Sequence, residues 1–409
     1  MSYRFATRLL HEAFEPDKAT GATTSSICQT TAYAKETAED MAAIFAGRKQ
    51  GFIYTRVGNP TLGVFERRIA ALCEGDHALS FASGMAAVSM SIMNIVGAGD
   101  EIVTSGSLFG GTSSLFRELA SYGVRVRYTD ENRPDAFAAQ LTNNTKLIYT
   151  ETIGNPKLDV ADISSLAELA HSYGLPLFVD NTAATPYLVR PLTLGADVVI
   201  HSTSKAINGN GNSVGGIVVV GKFPWSAEKF PKLAEFSAFG SMSYLARLSA
   251  RMRADFGSAL SPFNAYLTGI GLDTLALRME CASKNAMALA NCCRMRSNVK
   301  VNYPGLLESP WHELAKRQFA GRYGTMLTLS LGSRERAFRF INYLTLALNV
   351  SNIGDARTLV IHPWSTIFLH ATDEEKVRAG VTDDLVRVSV GIEDKDDLLE
   401  DFAIALDKA

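Results

Sequence analysis

The sequence lacks several features that would place the protein in other functional classes. Its 409 residues carry a formal net charge of −2, so no global excess of basic residues favours nucleic acid or an anionic membrane. No run of about eighteen apolar residues is present, and the charged first residues, with Arg4, Arg8 and Glu12, are not typical of a signal peptide. The composition instead predicts an ordinary soluble globular chain of two or three domains, at roughly 150 residues per domain.

Cysteine is also scarce, and its spacing excludes the common metal and disulfide patterns. The five cysteines form no CxxC pair and no Cys/His metal spacing: Cys28, Cys73, Cys281, Cys292 and Cys293. His312 and Glu313 are not followed by a second histidine at helical spacing, so no zinc-protease motif is present. We therefore expect no metal site, and free thiols in a reducing cytoplasm.

Strand and helix patterns alternate from residue 61 to about residue 260. Seven short apolar runs predict strands, and helical patterns lie between most of them: HALSFAS, EIVTSG, RVRYTD, KLIYTE, LPLFVDN, DVVIHS and GIVVVG. One such helix is expected to begin after Asp162 and to end at Gly174. The last run follows its neighbour through a glycine-rich turn, which predicts one antiparallel strand. The pattern is typical of the α/β class, with a doubly wound and mostly parallel sheet.

The segments on either side of this region differ in pattern. Residues 1–60 are rich in Thr and Ser, with one predicted helix over Ala38–Ala46, and are typical of an extended arm that packs on a neighbouring subunit. After Ser261 a long helical stretch, about Phe263 to Ala290, precedes alternating strands and helices. We therefore predict a smaller C-terminal α+β domain over residues 261–409.

Chemically useful side chains follow two of the predicted strands. Asp180 ends the run LPLFVD, while Ser202, Ser204 and Lys205 end the run DVVIHSTSK. Ligands of open α/β sheets bind at the carboxyl ends of the strands, so these groups are expected to share one crevice. Taken singly, Asp180 could be a helix cap and Lys205 a surface lysine. Together they suit pyridoxal phosphate (PLP): an amine for its aldehyde, an acid for its ring nitrogen and hydroxyls for its phosphate.

A second stretch suits the phosphate of such a cofactor. The sequence HALSFASGMAAVSMSIMNIV predicts a strand, a turn at Ser83, Gly84 and Met85, and then a helix. Free N–H groups at a helix start bind a dianion, and glycine lets the backbone approach it. Ser83 could equally be a plain N-cap residue.

Six motifs together resemble the trans-sulfuration family of fold-type I PLP enzymes: HSTSK, VDN, ASGM, YTRVGNPT, ETIGNP and LVRVSVG. The resemblance covers nearly the whole chain. It implies that Lys205 carries the PLP Schiff base, that Asp180 pairs with the pyridine nitrogen, and that residues 61–260 bind the cofactor. By the same resemblance Asn155 faces the phenolic oxygen of the ring. The residues that it implies for the phosphate are Ser83, Gly84, Met85, Ser202 and Ser204.

The resemblance also implies an oligomer and a site for the substrate carboxylate. Tyr54 and Arg56 would reach the cofactor phosphate of a neighbouring subunit, within a homotetramer built as a dimer of active dimers. Arg387 would bind the substrate carboxylate, with Asn352 helping, since a guanidinium fork suits a carboxylate.

Several stretches most resemble O-acetylhomoserine sulfhydrylases. This implies γ-replacement on an O-acylated homoserine with sulfide or a small thiol, in which Lys205 moves the protons. Methionine γ-lyases usually have a cysteine where Gly111 lies, which argues against that activity. Phe109 lies where the family usually has a ring-stacking tyrosine; it can stack but cannot donate a proton. Phe109 therefore leaves the acyl group and the leaving-group acid open, although an ester of homoserine should suit this site better than cystathionine or methionine. The alternative is an O-succinylhomoserine sulfhydrylase, or a methionine or cystathionine γ-lyase.

Two other classes are weaker interpretations of the same sequence. A nicotinamide-dependent oxidoreductase shares the doubly wound sheet, but its glycine fingerprint after the first strand is missing. A non-catalytic relative would explain the atypical Phe109, yet Lys205, Asp180, Asn155 and Arg387 are all in place.

Overall fold

A computed structural model describes residues 3–18 and 20–409; Met1, Ser2 and Ala19, which belong to the predicted arm, lie outside the described residues. The larger of its two sheets has seven strands in the order β1-β7-β6-β5-β4-β2-β3. Their bounds are β1 His77–Phe81, β2 Glu101–Ser105, β3 Arg125–Thr129, β4 Thr145–Glu151, β5 Leu177–Asp180, β6 Val198–Ser202 and β7 Gly216–Val220. All seven predicted strands are therefore present.

The direction of the strands agrees with the predicted mostly parallel sheet. Strands β2 to β6 pair in parallel, whereas β7 runs antiparallel to both β1 and β6. The apolar runs are buried on both sides of the sheet: Val199 belongs to the core on one face, and Val198 and Ile200 belong to the core on the other. Helices on both faces explain why these strands are continuously apolar rather than alternating.

Fifteen α-helices are assigned within the described residues. Those before residue 261 are α1 Phe5–His11, α2 Ala38–Phe45, α3 Pro60–Leu72, α4 Gly84–Met93, α5 Gly110–Ser121, α6 Pro134–Ala138, α7 Ile163–Ser172, α8 Thr185–Leu188 and α9 Ser243–Arg247. Helices α3 and α7 contribute to the core on one face of the sheet, and α4 and α5 to the core on the other. As predicted, the side chain of Asp162 caps α7, accepting a hydrogen bond from the Ser165 N–H. None of the helices is both long and apolar enough to cross a membrane, over the residues that the structure describes.

The remainder of the chain builds a second sheet of five strands in the order β10-β11-β12-β9-β8. Its strands are β8 Lys300–Asn302, β9 Met326–Ser330, β10 Leu348–Asn349, β11 Leu359–Ile361 and β12 Leu385–Ser389. The helices of this part are α10 Pro262–Asp273, α11 Leu275–Arg294, α12 His312–Gln318, α13 Arg334–Tyr343, α14 Asp373–Arg378 and α15 Lys395–Lys408. The long helical stretch predicted after Ser261 is thus two helices, which meet at Thr274. The division into an arm and two domains stays a prediction.

Candidate active site

A cavity of about 380 Å³ lies at the carboxyl ends of β4, β5 and β6. This is the edge at which ligands bind to open α/β sheets. Eleven of the thirteen residues predicted for the site line it: Ser83, Gly84, Met85, Phe109, Asn155, Asp180, Ser202, Ser204, Lys205, Asn352 and Arg387. Residues from seven separate parts of the sequence therefore meet around one space.

Asp180 is the last residue of β5 and lies at the floor of the cavity. Its Oδ1 accepts a hydrogen bond from the Thr182 N–H (2.9 Å), and its Oδ2 accepts one from the Tyr149 hydroxyl (3.4 Å). Burial raises the pKa of Asp180, while the bonds from Thr182 and Tyr149 act in the opposite direction. A partly buried carboxylate of this kind attracts a cation, such as a protonated ring nitrogen.

Lys205 follows β6 by three residues and points its amine into the same cavity. Its Nζ donates a hydrogen bond to Asn352 Oδ1 at 2.6 Å. Burial, and secondly the positive charge of Arg387, lowers the pKa of Lys205 from 10.5 to about 8. Near neutral pH a usable fraction of such an amine is unprotonated, and an unprotonated amine can attack an aldehyde or accept a proton.

The turn before α4 approaches the end of β6 very closely. A Cβ atom added at Gly84 would lie 2.5 Å from Ser202 Cβ and 3.0 Å from Ser202 Cα, so only glycine fits there. Ser83 caps α4, with its side chain accepting from the Ala86 N–H at 3.0 Å. Ser204 Oγ bonds the backbone of Gly215 instead. The start of α4, a ten-residue helix beside a serine hydroxyl, suits a phosphate group.

Arg387, in the middle of β12, is a buried cation without a carboxylate partner in the described residues. Its Nη1 donates to Asn155 Oδ1 (3.0 Å) and its Nη2 to the Asn352 carbonyl (3.0 Å), while its buried Nε has no hydrogen-bond partner there. Burial lowers the pKa of Arg387 to about 10. A buried guanidinium that bonds only neutral groups favours an anionic ligand, and a carboxylate is the natural one.

Phe109 precedes α5 and lines the cavity with its ring near Met85. A Cβ atom at Gly111 would lie 2.5 Å from Phe109 Cε1 and 3.3 Å from Met85 Sδ, so a side chain at residue 111 would displace this ring. The Phe109 N–H donates to Glu151 Oε1 at 2.6 Å. The position of the ring therefore requires glycine at residue 111, and the hydrogen bond to Glu151 holds the backbone of Phe109 in place.

Glu151 and Ile367 also line the cavity, although neither was predicted as a site residue. Glu151 pairs with Asp180 in the parallel register of β4 and β5. Burial raises the pKa of Glu151 well above its ordinary range, and the charge of Asp180 raises it further. The signal that could have identified Glu151 is its place in the motif ETIGNP; Ile367 lies in a loop and gave no such signal.

Tyr54 and Arg56, the other two predicted residues, do not line this cavity. The Tyr54 side chain is exposed, with the Arg56 guanidinium 5.4 Å from the centre of its ring. Arg56 also bonds the carbonyl oxygen of Ala254. Their expected part in the site of a neighbouring subunit stays a proposal.

The residues around the cavity fit PLP group by group. The Lys205 amine suits its aldehyde and the Asp180 carboxylate suits its ring nitrogen. The start of α4, where Gly84 leaves no room for a side chain, suits its phosphate. Asn155 uses its Oδ1 on Arg387 and keeps its amide nitrogen, a donor, for the phenolic oxygen. The fold and the site define a fold-type I PLP-dependent enzyme.

Comparison with known proteins gives the family. The sequence model of the family described as Cys/Met metabolism PLP-dependent enzyme matches residues 6–407, and the chain belongs to that family. It is 41% identical to the homocysteine synthase of Schizosaccharomyces pombe, over 100% of this chain and 99% of that protein. It is 40% identical to the O-acetyl-L-homoserine sulfhydrylase of Leptospira meyeri, over 99% of this chain and 97% of that one.

A solved structure supports the same assignment. A Campylobacter jejuni protein described as an O-acetylhomoserine (thiol)-lyase superimposes with a TM-score of 0.95, at 32% identity over 99% of this chain and 100% of that one. That protein carries pyridoxyl-lysine monophosphate.

The close approach at Gly84 gives a first prediction. Gly84→Ala is expected to weaken PLP binding by roughly 5- to 150-fold, because overpacking costs about 1–3 kcal/mol and the new methyl group would move the turn off Ser202. The measurement is the dissociation constant of PLP from the reconstituted enzyme. Gly63→Ala is the matched control: the added Cβ, in α3, would meet only the flexible end of Arg67. Equal PLP affinity in the Gly84 variant and the wild type would contradict the proposed phosphate site.

Proposed function

We propose that the protein catalyses γ-replacement on an O-acylated homoserine, with O-acetylhomoserine favoured, and that sulfide or a small thiol is the incoming group. The products are homocysteine or methionine and the free acid. The observation that carries this proposal is that Lys205, Asp180 and Arg387 line the same cavity. The guanidinium of Arg387 is suited to bind a carboxylate. The full-length similarity to proteins named as O-acetylhomoserine sulfhydrylases supports it.

Each side chain has a defined task in this reaction. Arg387 binds the substrate carboxylate and so holds the α-carbon above the floor of the cavity, with Asn352 beside it. Lys205 Nζ accepts the proton from the α-carbon, would pass it to the bound cofactor, and, as a neutral amine again, accepts one from the β-carbon. The ring of PLP, when bound, draws electrons away from the α-carbon. Asp180 keeps the proton on the ring nitrogen.

Tyr54 and Arg56 of a neighbouring subunit complete the phosphate site.

The charges around the cavity favour the acetyl ester over the succinyl ester. The cationic side chains that line it are Lys205 and Arg387, and both already have tasks. A succinyl group brings a second carboxylate, for which no third cation lines the cavity within the described chain. Phe109 and Ile367 present apolar surface instead, and an unpaired carboxylate against such a wall is costly.

The absence of a phenol at residue 109 favours an ester over a thioether substrate. Acetate leaves readily without a proton donor, whereas a thiolate bound to carbon is a poorer leaving group. The Gly111 backbone, which the ring of Phe109 covers, also leaves no room for the cysteine that methionine γ-lyases usually have there.

One assay tests these choices. The purified enzyme is offered O-acetylhomoserine, O-succinylhomoserine, cystathionine and methionine separately, with and without sulfide, and homocysteine, 2-oxobutyrate and released acid are measured. We expect kcat/KM for the acetyl ester to exceed that for the succinyl ester by about 5-fold or more, since leaving the second carboxylate unpaired costs at least about 1–3 kcal/mol. Rapid 2-oxobutyrate production from methionine, unaffected by sulfide, would identify a lyase instead.

The assembly and compartment belong to the same proposal. A homotetramer of active dimers is supported by the exposed aromatic residues of the arm, Phe45, Phe52 and Tyr54. A cytoplasmic location is supported by five free cysteines. The domain division into residues 1–60, 61–260 and 261–409 is supported by the two separate sheets.

A further inference from the structure

The catalytic lysine already has a hydrogen-bond partner in the structure, and that partner suggests a second task for Asn352. We propose that Asn352 is a positioning residue: its side-chain oxygen holds the Lys205 amine whenever that amine is free of the cofactor, and aims it at the substrate carbons. The inference rests on the proposed function for the choice of substrate. It goes beyond it by placing the Asn352 side chain on the lysine rather than on the substrate carboxylate.

The geometry at Asn352 is specific to the lysine. Lys205 Nζ lies 2.6 Å from Asn352 Oδ1, and Asn352 uses its backbone carbonyl, not its side chain, to accept from Arg387 Nη2 at 3.0 Å. One residue thus contacts both the proton-accepting amine and the carboxylate-binding guanidinium. Because both contacts are made by Asn352, this residue holds the Lys205 amine and the Arg387 guanidinium at a set distance from each other.

The loop that carries Asn352 is held firmly against the chain segment that carries Lys205. Gly354, with φ of +69°, approaches so closely that an added Cβ would lie 2.5 Å from the backbone nitrogen of Ala206. The Gly354 N–H also donates to Ser389 Oγ (2.9 Å), and the Ala356 N–H donates to the Gly209 carbonyl (2.8 Å). These contacts, two and four residues after Asn352, hold its loop against the segment that carries Lys205.

A fixed acceptor matters because a lysine amine rotates freely on a four-carbon stem. In the proton transfer, the α C–H bond breaks, an N–H bond forms at Nζ, and the bonding electron pair stays on the substrate side. The Nζ lone pair must then point at the α-carbon. When Asn352 Oδ1 accepts a hydrogen bond from one N–H of the neutral amine, the direction of the lone pair is restricted. The amine then has less rotational freedom to lose when it reacts.

The first test measures the lysine itself, in enzyme from which PLP has been removed. The rate of labelling of Lys205 by an amine-reactive reagent is followed against pH by peptide mass spectrometry. In wild-type enzyme the midpoint is expected near the lysine pKa of about 8. Asn352→Ala removes an acceptor that stabilises the ammonium form, so the midpoint should fall by about one pH unit; Asn352→Asp should raise it by a similar amount. Asn349→Ala, an exposed asparagine of β10, is the matched control.

The second test separates this task from carboxylate binding. We expect Asn352→Ala to lower kcat by roughly 10²-fold, the effect of a misaimed reacting group, with KM for O-acetylhomoserine within about threefold of wild type. Arg387→Lys should instead raise KM, because it removes the fork that pairs with a carboxylate. A large rise of KM in the Asn352 variant, with an unchanged labelling midpoint, would overturn the inference. A shifted midpoint in an enzyme that does not accept O-acetylhomoserine would overturn the proposed function and retain the inference.

Discussion

Lys205→Ala is expected to abolish the covalent bond between protein and cofactor and to lower kcat by at least about 10⁴-fold. General acid–base catalysis alone contributes roughly 10²–10⁴-fold, and this variant also loses the amine that reacts with the aldehyde. Among the described residues, the other cation that lines the cavity is Arg387, whose guanidinium stays protonated near neutral pH and cannot accept the proton.

The measurement has two parts. Borohydride reduction followed by peptide mass spectrometry locates the modified lysine. The turnover rate is measured as homocysteine formation from O-acetylhomoserine and sulfide. Lys222→Ala, which removes an exposed lysine after β7, is the control and should retain both properties. Cofactor still attached to the protein in the Lys205 variant would show that another lysine carries it.

The sequence was sufficient to predict the part of the site that depends on the sheet. Asp180 and Lys205 follow two short apolar runs, and such runs become neighbouring parallel strands whose carboxyl ends coincide. The distance between those two residues in the sequence is therefore irrelevant once the strands are recognised. The close turn at Gly84 could be predicted for the same reason, because it too follows a strand.

The contacts made by loops could not be predicted in this way. The bond between Lys205 and Asn352 joins residues 147 positions apart, and it depends on Gly354 packing against the backbone of Ala206. The periodic pattern of apolar residues in the sequence does not predict a contact between two such distant loop residues. Ile367 reaches the cavity through a loop as well, and its apolar character gave no reason to distinguish it from a core residue.

Glu151 was missed for a different reason. Its position at the end of a predicted strand was visible, but its register beside Asp180 required the order of strands in the sheet. Two carboxyl groups so close together cannot both ionise easily in a buried site. Asp180 accepts hydrogen bonds from Thr182 and Tyr149, whereas Glu151 accepts one from the Phe109 N–H. We therefore expect Asp180 to carry the charge and Glu151 to carry the proton.

This difference gives the second large prediction. Asp180→Asn is expected to lower kcat by roughly 10²–10⁴-fold, since the loss of one partner of a buried ion pair costs about 3–5 kcal/mol. The amide cannot balance the charge of a protonated ring nitrogen, so the pKa of that nitrogen in the bound cofactor should fall. That pKa can be followed by the ¹⁵N chemical shift of labelled PLP in the reconstituted enzyme, and kcat by homocysteine formation.

Glu151→Gln is the matched comparison, because it removes the neighbouring carboxyl group and keeps an acceptor for the Phe109 N–H. If Glu151 is protonated, its neutral amide replacement changes no charge, and kcat should fall by less than about 10-fold, the effect of one ordinary hydrogen bond. The burial and the Asp180 charge that raise the pKa of Glu151 predict this asymmetry. Equal losses in the two variants, with an unchanged ring-nitrogen shift in Asp180→Asn, would show that the acid beneath the cofactor ring is not Asp180.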